Sequence, residues 1–151
     1  MTFIRFVRAF GLAVCLLAGP MFASAFVGSS AAQASDVDSA AFQSIIRGQM
    51  NAFRTGDAAK AFSYATPVLQ KRFQTPEIFI HMVKTGYLPV YRPTNVTFGQ
   101  SRMTPHGPMQ EVYVTDPGGE NWLALYSFEK QGDGTWRISG CFLQKAKGFD
   151  A

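Results

Sequence analysis

Glu77 and His81 stand four residues apart, the spacing that brings two side chains to one face of a helix, where a carboxylate and an imidazole can share a proton or begin a metal site. The chain has 2 histidines, and the other, His106, falls in the turn signal Pro105-His106-Gly107-Pro108. A metal centre therefore lacks ligands, and the pair reads as a surface contact with no metal and no cofactor. Asp57, Glu77, Asp116, Glu120 and Asp133 occupy turns and helix starts, where capping and solvation account for them. Glu111 and Glu129 alternate with apolar neighbours, as solvent-facing strand positions do. Cys141 and Ser139 have no patterned base or oxyanion donor beside them, and Gly118-Gly119 joins two strands instead of leading from a strand into a helix. No residue is assigned a catalytic role.

What the sequence offers instead is a cavity wall. Gln49 interrupts an apolar stripe formed by Phe42, Ile45, Ile46, Met50 and Phe53, and a polar group there must be hydrogen-bonded or open to a cavity. Trp122 and Tyr126 lie on one face of a strand-like run whose other face, Leu123, Leu125 and Ser127, is also substantially apolar. Tyr91 sits between Pro89 and Pro93 in a connector too apolar for a solvated linker. These four residues, Gln49, Tyr91, Trp122 and Tyr126, are the candidates for lining a pocket that takes a small apolar or amphipathic ligand. A tightly filled core would use the same side chains.

The elements that must position them change period near the middle of the chain. Helical spacing begins near Ser39, after acceptor-rich Ser35-Asp36-Val37-Asp38, and ends at Gly56. Asp57 caps a second helix with Ala58, Ala61, Phe62 and Ala65 inward. Thr66-Pro67 and Thr75-Pro76-Glu77 each combine a capping hydroxyl with proline where no N–H is needed, and predict helices over 67–73 and 76–84. A stiff connector through the two prolines follows, with extended geometry favoured before each. Strands are predicted over 96–102, 110–116, 121–130 and 135–143, with short turns that imply antiparallel neighbours and with Trp136 and Ile138 buried in the last. Helices first and strands second make one α+β domain, three or four helices packed on a four-stranded antiparallel sheet.

Before that domain, Arg5 and Arg8 precede an apolar run over 10–17 and then small residues, the pattern of a secretion signal. Two small-x-small sites fit cleavage, before Phe26 or, preferred, before Ser35, giving a signal peptide over 1–34 and a domain over 35–151. The apolar run, broken by Gly19-Pro20, is short for a membrane span. Processing removes 2 of the 14 basic residues and leaves 10 acidic ones, so the formal charge falls from +4 to about +2. The remaining basic residues are scattered, a poor footprint for nucleic acid or an anionic membrane. Cys141 is then the sole cysteine, expected buried and without a disulfide partner.

Thr75-Pro76-Glu77, Gly86-Tyr87 with Pro89-Val90-Tyr91-Arg92-Pro93, Trp122 with Ala124-Leu125-Tyr126, and Trp136-Arg137-Ile138-Ser139-Gly140-Cys141 together resemble a bacterial secreted family known as domain of unknown function 4864. The order of elements resembles the wider nuclear transport factor 2-like superfamily, also called cystatin-like or SnoaL-like. The resemblance implies a curved sheet and a cone with a cavity between it and the first long helix, but no established activity. The expectation is a periplasmic or secreted domain that binds a small apolar ligand or a protein partner without chemistry. An isomerase or hydrolase in the same cavity, and a homodimer through the open sheet face, are the other expectations.

Overall fold

In the computed structural model the described residues are 30–146, with side chains from Asp38 onward. The signal peptide expected over 1–34 lies outside them except for its last five residues. Those five belong to α1, Ser30–Thr55, which begins about two and a half turns before the predicted start at Ser39. Alanines at 31, 32, 34, 40 and 41, with no glycine or proline among them, let the helix run through the residues expected to cap it. Asp38 takes another role and accepts the Trp136 indole N–H at 3.2 Å.

The next caps form as the sequence predicts. Asp57 accepts from the Lys60 N–H at the start of α2, Ala58–Ser63. Thr66 and Thr75 accept from Leu69 and Ile78 at the starts of α3, Pro67–Phe73, and α4, Pro76–Gly86, each with proline in the first turn. The connector differs from the extended reading: Leu88–Tyr91 is one helical turn, α5, with Pro89, Val90 and Tyr91 all buried. Proline at a helix start needs no N–H partner, and burying the two residues after it, Val90 and Tyr91, outweighs its bias of the preceding residue toward extended geometry.

Strands β1 Asn95–Thr104, β2 Gly107–Thr115, β3 Asn121–Lys130 and β4 Trp136–Lys145 form one antiparallel sheet in the order β1-β2-β3-β4. The fold is thus α+β, with five helices before the sheet. Ala124, Tyr126 and Phe128 alternate along β3 and are buried against α1, where Phe42 stacks on Phe128 with ring centroids 4.3 Å apart. Trp136 meets Phe42 edge-on at 5.2 Å and is half-buried, not fully enclosed, because its indole reaches to Asp38 at the rim. A second cluster, Phe53, Phe62, Phe79 and Tyr91 among others, joins α1, α2, α4 and α5.

Backbone bonds tie the two layers together. The turn between α2 and α3 lies along β4: the Ile138 N–H donates to the Tyr64 carbonyl and the Thr66 N–H to the Ile138 carbonyl, both at 2.9 Å. Tyr64 also packs so closely on α1 that a methyl group at Gly48 would sit 2.3 Å from its hydroxyl oxygen, so this position has room only for hydrogen.

Candidate functional site

Strict alternation from Trp136 would turn Gly140 and Phe142 inward and leave Cys141 outside. A β-bulge prevents this. Pairing runs Phe128 with Ile138 and then Ser127 with Gly140, so Ser139 is an extra residue on β4 and the inward phase resumes at Cys141, opposite Tyr126. Phe142 is left 62% exposed on the outer face. Gly140 gives the bulge space, since a Cβ there would lie 3.0 Å from the Ser127 hydroxyl, itself 3.1 Å from that of Ser139.

The bulge opens onto a cavity of about 410 Å³ walled by α1, α3, α4, α5 and the middles of β3 and β4. Phe53, Phe73, Phe79, Met82, Val83 and Ile138 give it an apolar surface, while Ser139 and Cys141 supply the polar atoms of the bulge. Gln49 faces it from α1. Its Nε2 donates to the Ala61 carbonyl at 3.2 Å, which holds the buried amide in place and ties α1 to α2. Arg72 is the cationic lining residue, on exposed α3 surface.

Two ionisable groups meet inside. Tyr126 is fully buried on the face toward the helices, and burial holds its phenol well above the ordinary range, with the adjacent Cys141 sulfur raising it further. Desolvation pushes the Cys141 thiol up to about 12, and the hydrogen bond from Tyr126 offsets only part of that. Cys141 as a residue is half-buried. Its sulfur, however, lies among protein atoms and stays protonated at neutral pH, so it is a poor nucleophile.

Of the four residues singled out for a cavity wall, the fold brings two together. Gln49 and Tyr126 line the same cavity. Tyr91 is buried in the helical cluster, its ring centroid 5.7 Å from that of Phe53, and its other edge borders a separate groove beside Arg47. Trp122 lies at the far end of the sheet, where its indole N–H donates to Asp116 at 3.0 Å and Lys145 covers its ring. Asp116 is held below the usual carboxylate range by the Glu120 N–H first and this indole second. Glu77 and His81 are both exposed on α4, outside the cavity. Among the described residues no group of three metal-ligating side chains converges.

Sequence reasoning missed Ser139, Gly140 and Cys141 as cavity residues. Their signal was a Ser-Gly pair inside a strand pattern, the mark of a bulge. It also missed a convergence of charge: Arg47, Arg54 and Arg92, distant in sequence, line one groove.

No described helix is long and apolar enough to cross a membrane. A family model for a domain of unknown function, DUF4864, matches residues 35–151. Neither a curated protein nor a solved structure matches the chain.

Proposed function

The chain belongs to the DUF4864 family, and we propose that it is an exported domain of nuclear transport factor 2-like build whose cavity binds a small apolar or amphipathic molecule without transforming it. The observation that carries this reading is the lining. Aromatic and aliphatic side chains dominate a cavity of ligand size, and the carboxylates and imidazoles of the described residues lie elsewhere. A hydrolase or isomerase needs a base that is unprotonated at working pH, and burial favours the protonated forms of Tyr126 and Cys141, the titratable groups deepest in the cavity. The polar atoms of Gln49, Ser139 and Cys141 can orient one end of a ligand while Phe73, Phe79 and Met82 enclose the other.

Export rests on Arg5, Arg8 and the apolar run over 10–17, and the family match begins at Ser35, the first residue after the preferred cleavage site. N-terminal sequencing of protein recovered from the periplasm or medium tests that part.

For the cavity, the neutral probe N-phenyl-1-naphthylamine should bind the purified protein saturably at one site, with a rise in fluorescence. Leu69→Trp, which adds bulk from the half-buried rim of α3, should weaken it at least tenfold while the melting temperature stays within a few degrees. Equal affinity in the two proteins would mean that the probe sits elsewhere and the cavity is not the site.

A further inference from the structure

We propose that the groove between α1 and the turn at Tyr91–Pro93 is a second binding site, specific for oxyanions of the phosphate type. It measures about 530 Å³, and its polar lining is Arg47, Asn51, Arg54 and Arg92, with no acidic residue among the described ones. Both ion pairs found among the described residues, Arg102 with Glu111 on the sheet and Lys145 of β4 with Glu120 in the turn before β3, lie away from this groove.

Neutral groups hold all three guanidiniums. The Arg47 guanidinium carbon stands 4.4 Å from the centre of the Phe98 ring, and that of Arg92 stands 5.1 Å from the centre of Tyr91. Arg54 donates to the Asn51 amide oxygen at 2.6 Å. An aromatic ring against the flat face of a guanidinium orients it without neutralising it and leaves the in-plane N–H donors free. The groove therefore presents ordered, unpaired positive charge, and ordering that precedes binding lowers the cost of binding. Mutual repulsion of three like charges is relieved when an anion enters.

The spacing selects the ligand. Arg47 and Arg54 are seven residues apart on one helix, about 10 Å along its axis, with Arg92 on the opposite wall. A single carboxylate is planar and satisfies one arginine fork. Linked or neighbouring tetrahedral groups, each with several acceptor oxygens, can engage all three. A soluble diphosphate and a row of phospholipid headgroups share this chemistry.

Titration calorimetry of the whole protein with inorganic pyrophosphate at low salt tests the site, and sedimentation with phosphatidylglycerol or phosphatidylcholine vesicles separates the two sources. Pyrophosphate should bind with an affinity that falls as salt rises. Arg47→Gln combined with Arg92→Gln should weaken it at least tenfold, Arg54→Gln alone severalfold, and exposed Lys71→Gln less than twofold. Binding of N-phenyl-1-naphthylamine should persist in each variant that keeps its thermal transition, so this site and the apolar cavity stand or fall separately. Should the double variant not fold, Arg54→Gln decides. Cosedimentation with the anionic vesicles alone, reversed by pyrophosphate, assigns the headgroup source, and pyrophosphate binding without cosedimentation assigns the soluble one. No pyrophosphate binding, or equal weakening by Lys71→Gln, overturns the proposal.

Discussion

The sheet is interrupted twice, and the two interruptions are finished in opposite ways. On β1 the register slips between Phe98 and Ser101, and the gap is filled by Gln110 from β2, a side chain with no exposed surface. Its amide nitrogen donates to the Gly99 and Glu111 carbonyls at 2.9 Å, and its oxygen accepts from Ser101, whose hydroxyl is linked in turn to Ser39 on α1. On β4 the extra residue Ser139, opposite the step between Ser127 and Phe128 of β3, leaves the gap open, and Ser139, Gly140 and Cys141 face a cavity. One backbone device thus gives a closed polar knot and an open wall. What separates a structural bulge from a candidate site is whether a neighbouring strand supplies an amide of the right length to fill it.

The largest effect should come from emptying the filled side. Gln110→Leu leaves the part-buried Gly99 carbonyl without its side-chain donor and the Ser101 hydroxyl with Ser39 alone, and should cost about 2 kcal/mol, read as a shifted denaturant midpoint at unchanged slope. A loss below about 1 kcal/mol would erase the contrast between the two bulges.

The open side should respond to pH. Burial raises the Cys141 thiol from an ordinary value of 9.0 to about 12, so the folded state keeps a proton that the unfolded chain releases first. Stability from this group is complete below about pH 9 and is lost as pH climbs toward 12. The thermal midpoint should fall over that window in the native chain and fall less in Cys141→Ala. Parallel curves for the two proteins would place the sulfur in water.

Removing the Tyr126 hydroxyl should matter less. Tyr126→Phe deletes one hydrogen bond to a sulfur and leaves the packing of the ring, a loss of about 1 kcal/mol, and it should raise the Cys141 thiol pKa further because the bond that favours the thiolate is gone. Alkylation of Cys141 by iodoacetamide at pH 9 should slow accordingly.

Smallest is Gly140→Ala. The new methyl would press on a rotatable Ser127 hydroxyl at 3.0 Å, so the expected cost is under about 1 kcal/mol, and adding Ser127→Ala should remove it. If the pair of substitutions is no milder than Gly140→Ala alone, crowding at the bulge is not the reason for glycine there.

Local rules carried most of the fold. Three caps at Asp57, Thr66 and Thr75 formed where hydroxyl or carboxylate precedes a helical run, and β3 kept its bounds because both of its faces are apolar. The departures have non-local causes. Whether Ser35 to Ser39 cap a helix or continue one depends on alanines preceding them and on Trp136, nearly a hundred residues away. Gln49 and Tyr126 were legible as wall residues because one breaks an apolar stripe and the other belongs to a two-faced strand. Trp122 shares that strand but is drawn to the hairpin by Asp116, and Tyr91 is folded under by a helical turn at Pro89 that pattern alone reads as extended. The arginine groove was invisible for a simpler reason: residues 47, 54 and 92 become neighbours only once α5 packs on α1.

The backbone bridge between Ala65 and Ile138 closes a circuit of 73 residues. Joining the ends of so long a loop costs about 4 kcal/mol in chain entropy beyond a constant. Helices and hairpins can gather from near neighbours, but the cavity has no local precursor, since its walls run from Gln49 to Cys141 and meet across that bridge. Enclosure must therefore come late in folding and go early in unfolding. The Ile138 and Thr66 amides, which form the bridge, should exchange with solvent together and report the moment at which the pocket ceases to exist.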